Sequence, residues 1–116
     1  MLNIGTTYER PCPSSEPLAI AWKTYRYRAK KNLMRFTLPR RLFDDLVTDV
    51  CFYCLSPGSP LNGIDRVDNT KGYEENNVVT CCIRCNKAKG TSTKSEFENW
   101  AMRIGSNVFK HTSLTA

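Results

Sequence analysis

Histidine is almost absent from this chain. Its 116 residues hold a single one, His111, near the end. Proton-transfer chemistry is therefore expected from other groups, and His111 reads as a tail residue. No apolar run approaches the roughly 20 residues that a membrane-spanning helix needs. The N-terminus has no basic segment followed by an apolar one, so no secretory leader is expected. These absences predict an intracellular, cytoplasmic protein without a membrane partner, in a reducing compartment. No repeat, low-complexity segment or long linker divides the sequence, and its length suggests one compact domain with a limited core.

Acidic residues are also missing from one long stretch. Lys23 to Arg41 carries eight basic residues and no Asp or Glu, out of 17 Lys and Arg in all. With a net charge of +6, this concentration points to a polyanionic partner, nucleic acid first. The stretch begins in a helical pattern. Ser15 suits an N-cap and Pro17 the first turn. Leu18, Trp22, Tyr25, Ala29 and Leu33 then form one apolar stripe. Lys23, Arg26, Arg28, Lys30, Lys31 and Arg35 lie off it. They read either as a solvated face or as a phosphate-binding one. The second is favoured because a run of one sign lacks the opposite charges that i,i+4 pairing uses. Thr37 is a candidate cap for a second helix carrying Leu42, Phe43, Leu46 and Val47.

Cysteine is where the chain is rich. Cys51–Cys54 and Cys82–Cys85 are CxxC pairs, and two such knuckles can offer four thiolates tetrahedrally to a structural zinc. A four-cysteine site leaves no coordination position for water. Cys81 competes formally with Cys82, but only Cys82 has the CxxC spacing. Cys12 is isolated and reads as a plain thiol.

Between the knuckles lie groups suited to phosphodiester hydrolysis. That reaction needs a hard cation, a base for the attacking water and a positive group for the phosphate. Asp65 is a hard oxygen ligand, and the side-chain oxygen of Asn86 could complete its site. Arg66 can hold a phosphate in bidentate fashion, and Tyr73 offers a phenol. Each has a plainer reading, as a turn cap, a helix cap or a hairpin residue. Their coupling in one segment favours the chemical one.

The stretch Cys51 to Gly90 resembles the HNH endonuclease family. The matching residues are Cys51/Cys54, Asp65, Asn77 and Cys82-Ile83-Arg84-Cys85-Asn86, then Lys87 and Lys89. Arg66 stands where the family's general-base histidine falls. Asp65-Arg66 with Gly72-Tyr73 is similar to a branch in which arginine takes that position and a tyrosine is the base. The resemblance implies an α+β chain. Its ββα-metal core would carry a four-cysteine zinc, with basic helices before it and a C-terminal helix after. It implies Tyr73 as general base, Asp65 and Asn86 as ligands of Mg²⁺ or Mn²⁺, and Arg66 as a phosphate clamp. Asn77 would be a positioning residue, and Lys87 and Lys89 would join the DNA contacts. An ordinary tyrosine titrates near pH 10, so activity is expected to rise towards alkaline pH.

Residues 1–47 are then an arm and basic helical region. Residues 48–106 form the core with its C-terminal helix, and 107–116 a loose tail. Thr93 and Glu96 make a capping box for that helix. Phe97, Trp100, Ala101 and Ile104 form its packing stripe, and Gly105 is its expected stop. The expected function is a metal-dependent DNA endonuclease acting on duplex DNA, with a homodimer as a possible form. The alternatives are a zinc-stapled DNA- or RNA-binding module without catalysis, and an interaction protein.

Overall fold

A computed structural model of the chain describes the backbone of residues 16–115 and the side chains through His111. The expectations for Cys12 and for Ser15 as a cap lie outside the described residues. Helix α1 runs Glu16–Lys31, with Pro17 in its first turn as expected. Leu18 and Ala29 are buried, and Trp22 and Tyr25 pack on the core between them. Leu33 does not continue the stripe. It lies beyond the helix with φ 57° and is 95% exposed. The chain leaves the helical path there because the next segment pairs elsewhere. Phe36 bridges Tyr73 in parallel, the Tyr73 N–H donating to Arg35 O at 2.9 Å and the Thr37 N–H to Tyr73 O at 3.0 Å.

That pairing also removes Thr37 as a cap. Helix α2, Arg40–Val47, has the extended Pro39 at its N-cap with no side-chain cap bond. Phe43 and Val47 of α2 are fully buried. Phe43 meets Trp22, Tyr25 and Phe36 at ring distances of 5.3, 5.6 and 6.3 Å. Such aromatic pairs contribute about 0.5–1.5 kcal/mol each beyond burial.

Strands β1 (Gly63–Arg66) and β2 (Val78–Cys81) pair antiparallel, with Asp65 opposite Val79. Side chains alternate along a strand. Ile64 therefore enters the core cluster, while Asp65 faces the other way. A 3₁₀ turn, Glu75–Asn77, precedes β2, and helix α3, Ile83–Lys89, follows it. β1, β2 and α3 form the expected ββα unit. β2 is tied to α2 by Thr80, whose hydroxyl donates to Leu46 O at 2.7 Å.

Helix α4 spans Lys94–Thr115. Its capping box is present: the Thr93 N–H donates to Glu96 Oε1 at 2.9 Å and the Glu96 N–H to Thr93 Oγ1 at 3.1 Å. Gly105 does not stop it, and residues 107–115 are helical rather than a loose tail. A glycine costs a helix only about 1 kcal/mol, and ending one needs a left-handed turn that Gly105 does not make. Within the expected packing stripe only Phe97 is buried; Trp100, Ala101 and Ile104 are exposed.

Phe43→Ala is expected to cost about 3–5 kcal/mol, and Leu33→Ala to change stability by less than about 0.5 kcal/mol. Urea unfolding of the metal-loaded protein measures both.

Candidate active site and metal centre

Cys51 and Cys54 sit in the turn after α2, and Cys82 and Cys85 at the start of α3. Their four sulfurs all lie within 4.8 Å of one another, with Cys54 Sγ 3.7 Å from Cys82 Sγ. A tetrahedral zinc with Zn–S near 2.3 Å sets sulfurs about 3.8 Å apart, so the group fits that ion. Ser56, through its hydroxyl and backbone, pulls the Cys54 thiol down to about 6. Cys81 is separate. Its side chain is buried and bonded to the Cys82 carbonyl at 3.4 Å. Burial, then the Asp65 charge, push its thiol up to about 12.

Beyond the cluster the sheet opens on a cleft of about 190 Å³. Asp65, Arg66, Tyr73 and Asn86 line it together, with Tyr25 and Arg28 from α1 and Asn69 from the turn. Asn77 holds that turn. Its Oδ1 accepts from the Asp68 N–H at 2.9 Å, and its Nδ2 donates to Asp68 O at 3.1 Å and Gly72 O at 2.9 Å. Gly72 is required because a Cβ there would lie 2.5 Å from Arg35 O. This close approach fixes Tyr73, whose ring packs on Phe36 and Tyr25 at 5.6 and 5.8 Å. Arg66 donates through Nη1 to Asn69 O and Lys71 O, both at 2.8 Å. Its guanidinium carbon sits 5.5 Å from the Tyr73 ring centre.

Asp65 is buried, and its carboxylate is partly engaged. The Tyr53 hydroxyl donates to Oδ2 at 2.9 Å, and Lys89 Nζ lies 3.3 Å from both oxygens. Burial and then the Asp65 carboxylate push the Tyr53 phenol well up, so it stays a donor. Tyr53 also stacks edge-on against Phe97 at 5.1 Å, which links α4 to the site. A carboxylate has about four acceptor positions, and Mg²⁺ often takes one or two carboxylates while keeping its waters. One Asp65 oxygen with the Asn86 amide is a donor set of that kind.

Lys89 is not a DNA contact. Its side chain is 0% exposed. Lys87 and Lys89 are two residues apart on one helix and so point to opposite sides; Lys87 is exposed. That phase was the available signal for the pair. Nothing in the sequence signalled Tyr53, which reads there as a knuckle residue. Lys23, Arg26, Arg28, Lys30, Lys31 and Arg35 are all exposed, and of these Arg28 reaches the cleft. Arg26 lies over the Trp22 ring, and Arg35 is 3.8 Å from Glu74. His111 is on the exposed outer part of α4, outside the cleft.

The fold is of the HNH nuclease kind: a two-stranded antiparallel sheet and a following helix beside a four-cysteine cluster. Among solved structures, the rare-cutting HNH restriction endonuclease PacI shares it, with a TM-score of 0.61 over 81% of this chain and 80% of that one. The two are 19% identical, so the likeness is one of fold. An uncharacterized protein of Acanthamoeba polyphaga mimivirus, R423, is 38% identical over 88 residues, covering 75% of this chain and 16% of that protein. The chain thus spans about a sixth of the length of that relative. No family model matches the sequence.

Cys54→Ser should remove zinc and Cys81→Ala retain it, as read by metal analysis. All four thiols must lose their protons to bind zinc, and burial holds the Cys85 thiol up while Ser56 holds the Cys54 thiol down, so metal affinity should fall progressively as pH drops. Lys89→Met should lower stability by about 3–5 kcal/mol, since it strands a buried carboxylate. Lys87→Met should leave the thermal midpoint unchanged.

Proposed function

We propose that the chain is a metal-dependent endonuclease that hydrolyses phosphodiester bonds in double-stranded DNA. The observation that carries this is the cleft where Asp65, Arg66, Tyr73 and Asn86 meet, on a fold shared with a restriction enzyme. Asp65 and Asn86 are the ligands of a Mg²⁺ or Mn²⁺ ion, which when bound supplies Lewis-acid stabilisation of developing negative charge. Tyr73 takes the proton of the attacking water. Arg66 is anchored by two carbonyls through Nη1 and holds a phosphate oxygen with its remaining N–H groups. Asn77 keeps the turn, and so Tyr73, in place. The four cysteines hold a closed zinc that supports this arrangement. A cleft of this kind cuts one strand at a time, so a double-strand break calls for a second copy or a second encounter.

A second reading has one observation in its favour. The Lys89 ammonium already lies against Asp65 and competes with a divalent cation there. On that reading the protein binds DNA or RNA without cutting it.

A plasmid-nicking assay with Mg²⁺, with Mn²⁺ and with chelator separates the two. Wild type should nick only with metal, and Tyr73→Phe should lose at least about 100-fold in rate with DNA affinity kept. His111→Ala should cut normally. The rate should rise with pH, because a phenol must lose its proton to act as base. A flat profile would remove Tyr73 from that role, and absence of cleavage with binding intact would leave the module.

A further inference from the structure

The cleft does not end at Asn86. Tyr25, Arg28 and Asn86 line it and also line a neighbouring cavity of about 510 Å³. One wall of that cavity is the loop carrying Pro57 and Leu61; the other is Ile83 of α3. Both walls are fixed. Asn62, buried at the root of the loop, donates through Nδ2 to Asp49 O at 2.8 Å and Ser56 O at 3.1 Å. Its N–H donates to Val47 O at 2.9 Å. Gly63 passes the floor so closely that a Cβ there would lie 2.4 Å from the Tyr25 hydroxyl. On the far side Ile83 follows Cys82, a member of the thiol cluster. The groove is therefore built before any ligand arrives.

Its chemistry narrows the occupant. Among the described residues no Asp or Glu lines it, and of its two thiols Cys82 belongs to the metal cluster and Cys81 is bonded to the Cys82 carbonyl. Arg28 supplies positive charge, and among the described residues no carboxylate is paired with it. Pro57, Leu61 and Ile83 supply apolar surface, and Ile83 is 72% exposed. A guanidinium between apolar walls suits an anion joined to a ring system. Arg28 stands where this groove meets the cleft.

We propose that the groove seats the nucleotide next to the scissile phosphate, with Arg28 holding the phosphate that joins it to the strand. This rests on the nuclease reading above and extends it by one subsite. It also divides the arginines. Arg66, braced on the turn, faces the reacting phosphate. Arg28, on the basic helix, holds its neighbour and sets how the strand enters.

The test is binding without cleavage. Deoxythymidine 3′,5′-bisphosphate is titrated into isotope-labelled, zinc-loaded protein and followed by NMR, with thymidine and inorganic phosphate as parallel probes. The bisphosphate should shift the amides of Gly63, Ile83 and Asn86 and bind more tightly than either fragment. Arg28→Gln and Ile83→Asp should each weaken it about tenfold with zinc content and thermal midpoint unchanged. Arg103→Gln on α4 should have no effect. The proposal is overturned if inorganic phosphate binds as well as the bisphosphate, if Arg28→Gln binds like wild type, or if the shifts fall outside the groove. A wild type that binds the bisphosphate there yet nicks no plasmid would uphold the nucleotide seat and bring down the nuclease reading.

Discussion

Cys54 and Cys82 are 28 residues apart in sequence, and their sulfurs are 3.7 Å apart in space. The convergence of four thiols is the constraint on which the rest of the molecule depends. It brings the turn after α2 against the start of α3. In doing so it sets Tyr53, inside the first knuckle, beside Asp65 on the strand. It also orients α3 so that Lys89 at its far end reaches the same carboxylate. The apolar core is small and lies on the other side of the sheet, among Leu18, Leu38, Phe43, Val47 and Ile64. It includes no residue of α3, whose buried side chain is Lys89, and so cannot by itself position that helix. A metal held by the four cysteines has the energy to do so, since structural zinc sites contribute roughly 10–16 kcal/mol in peptides.

The second organising element is aromatic. Trp22, Tyr25, Phe36, Phe43 and Tyr73 form a continuous set of ring contacts. This set joins the basic helix to the cleft. Tyr25 takes part in it twice over. Its ring packs on Phe43 and Tyr73, while its hydroxyl accepts the Ile64 N–H at 3.0 Å. α1 is thus held to the strand that carries Asp65, and the cationic surface is in register with the site. The arrangement gives a physical reason for a basic helix so far from the knuckles in sequence.

Asp65 shows how far a motif can be read. Its acidity, its place on a strand and its neighbour Arg66 are plain in the sequence. The partners on the other side of its carboxylate are not. Lys89 looked like one more surface cation, although its helical phase set it opposite Lys87. Tyr53 carried no signal, because its bond to Asp65 spans two elements that only the thiol cluster brings together. Leu33 kept the helical period and still left the helix, because the backbone of residues 35–37 pairs with Tyr73. Gly105 looked like a stop and lies within a helix, as a glycine ends a helix only where the chain turns left-handed.

Local pattern therefore determined what local physics governs. The spacing of cysteines set the ligand cluster, the apolar period set α1 and α2, and the Thr93–Glu96 pair set the start of α4. The alternation of β1 put Ile64 and Asp65 on opposite faces. Only the tertiary structure decided which charges are buried, which aromatics stack, and that one arginine of the basic run reaches the cleft while its neighbours do not. Those outcomes depend on contacts between segments tens of residues apart. Such contacts are fixed by packing and by the thiol cluster, and no window along the chain contains them.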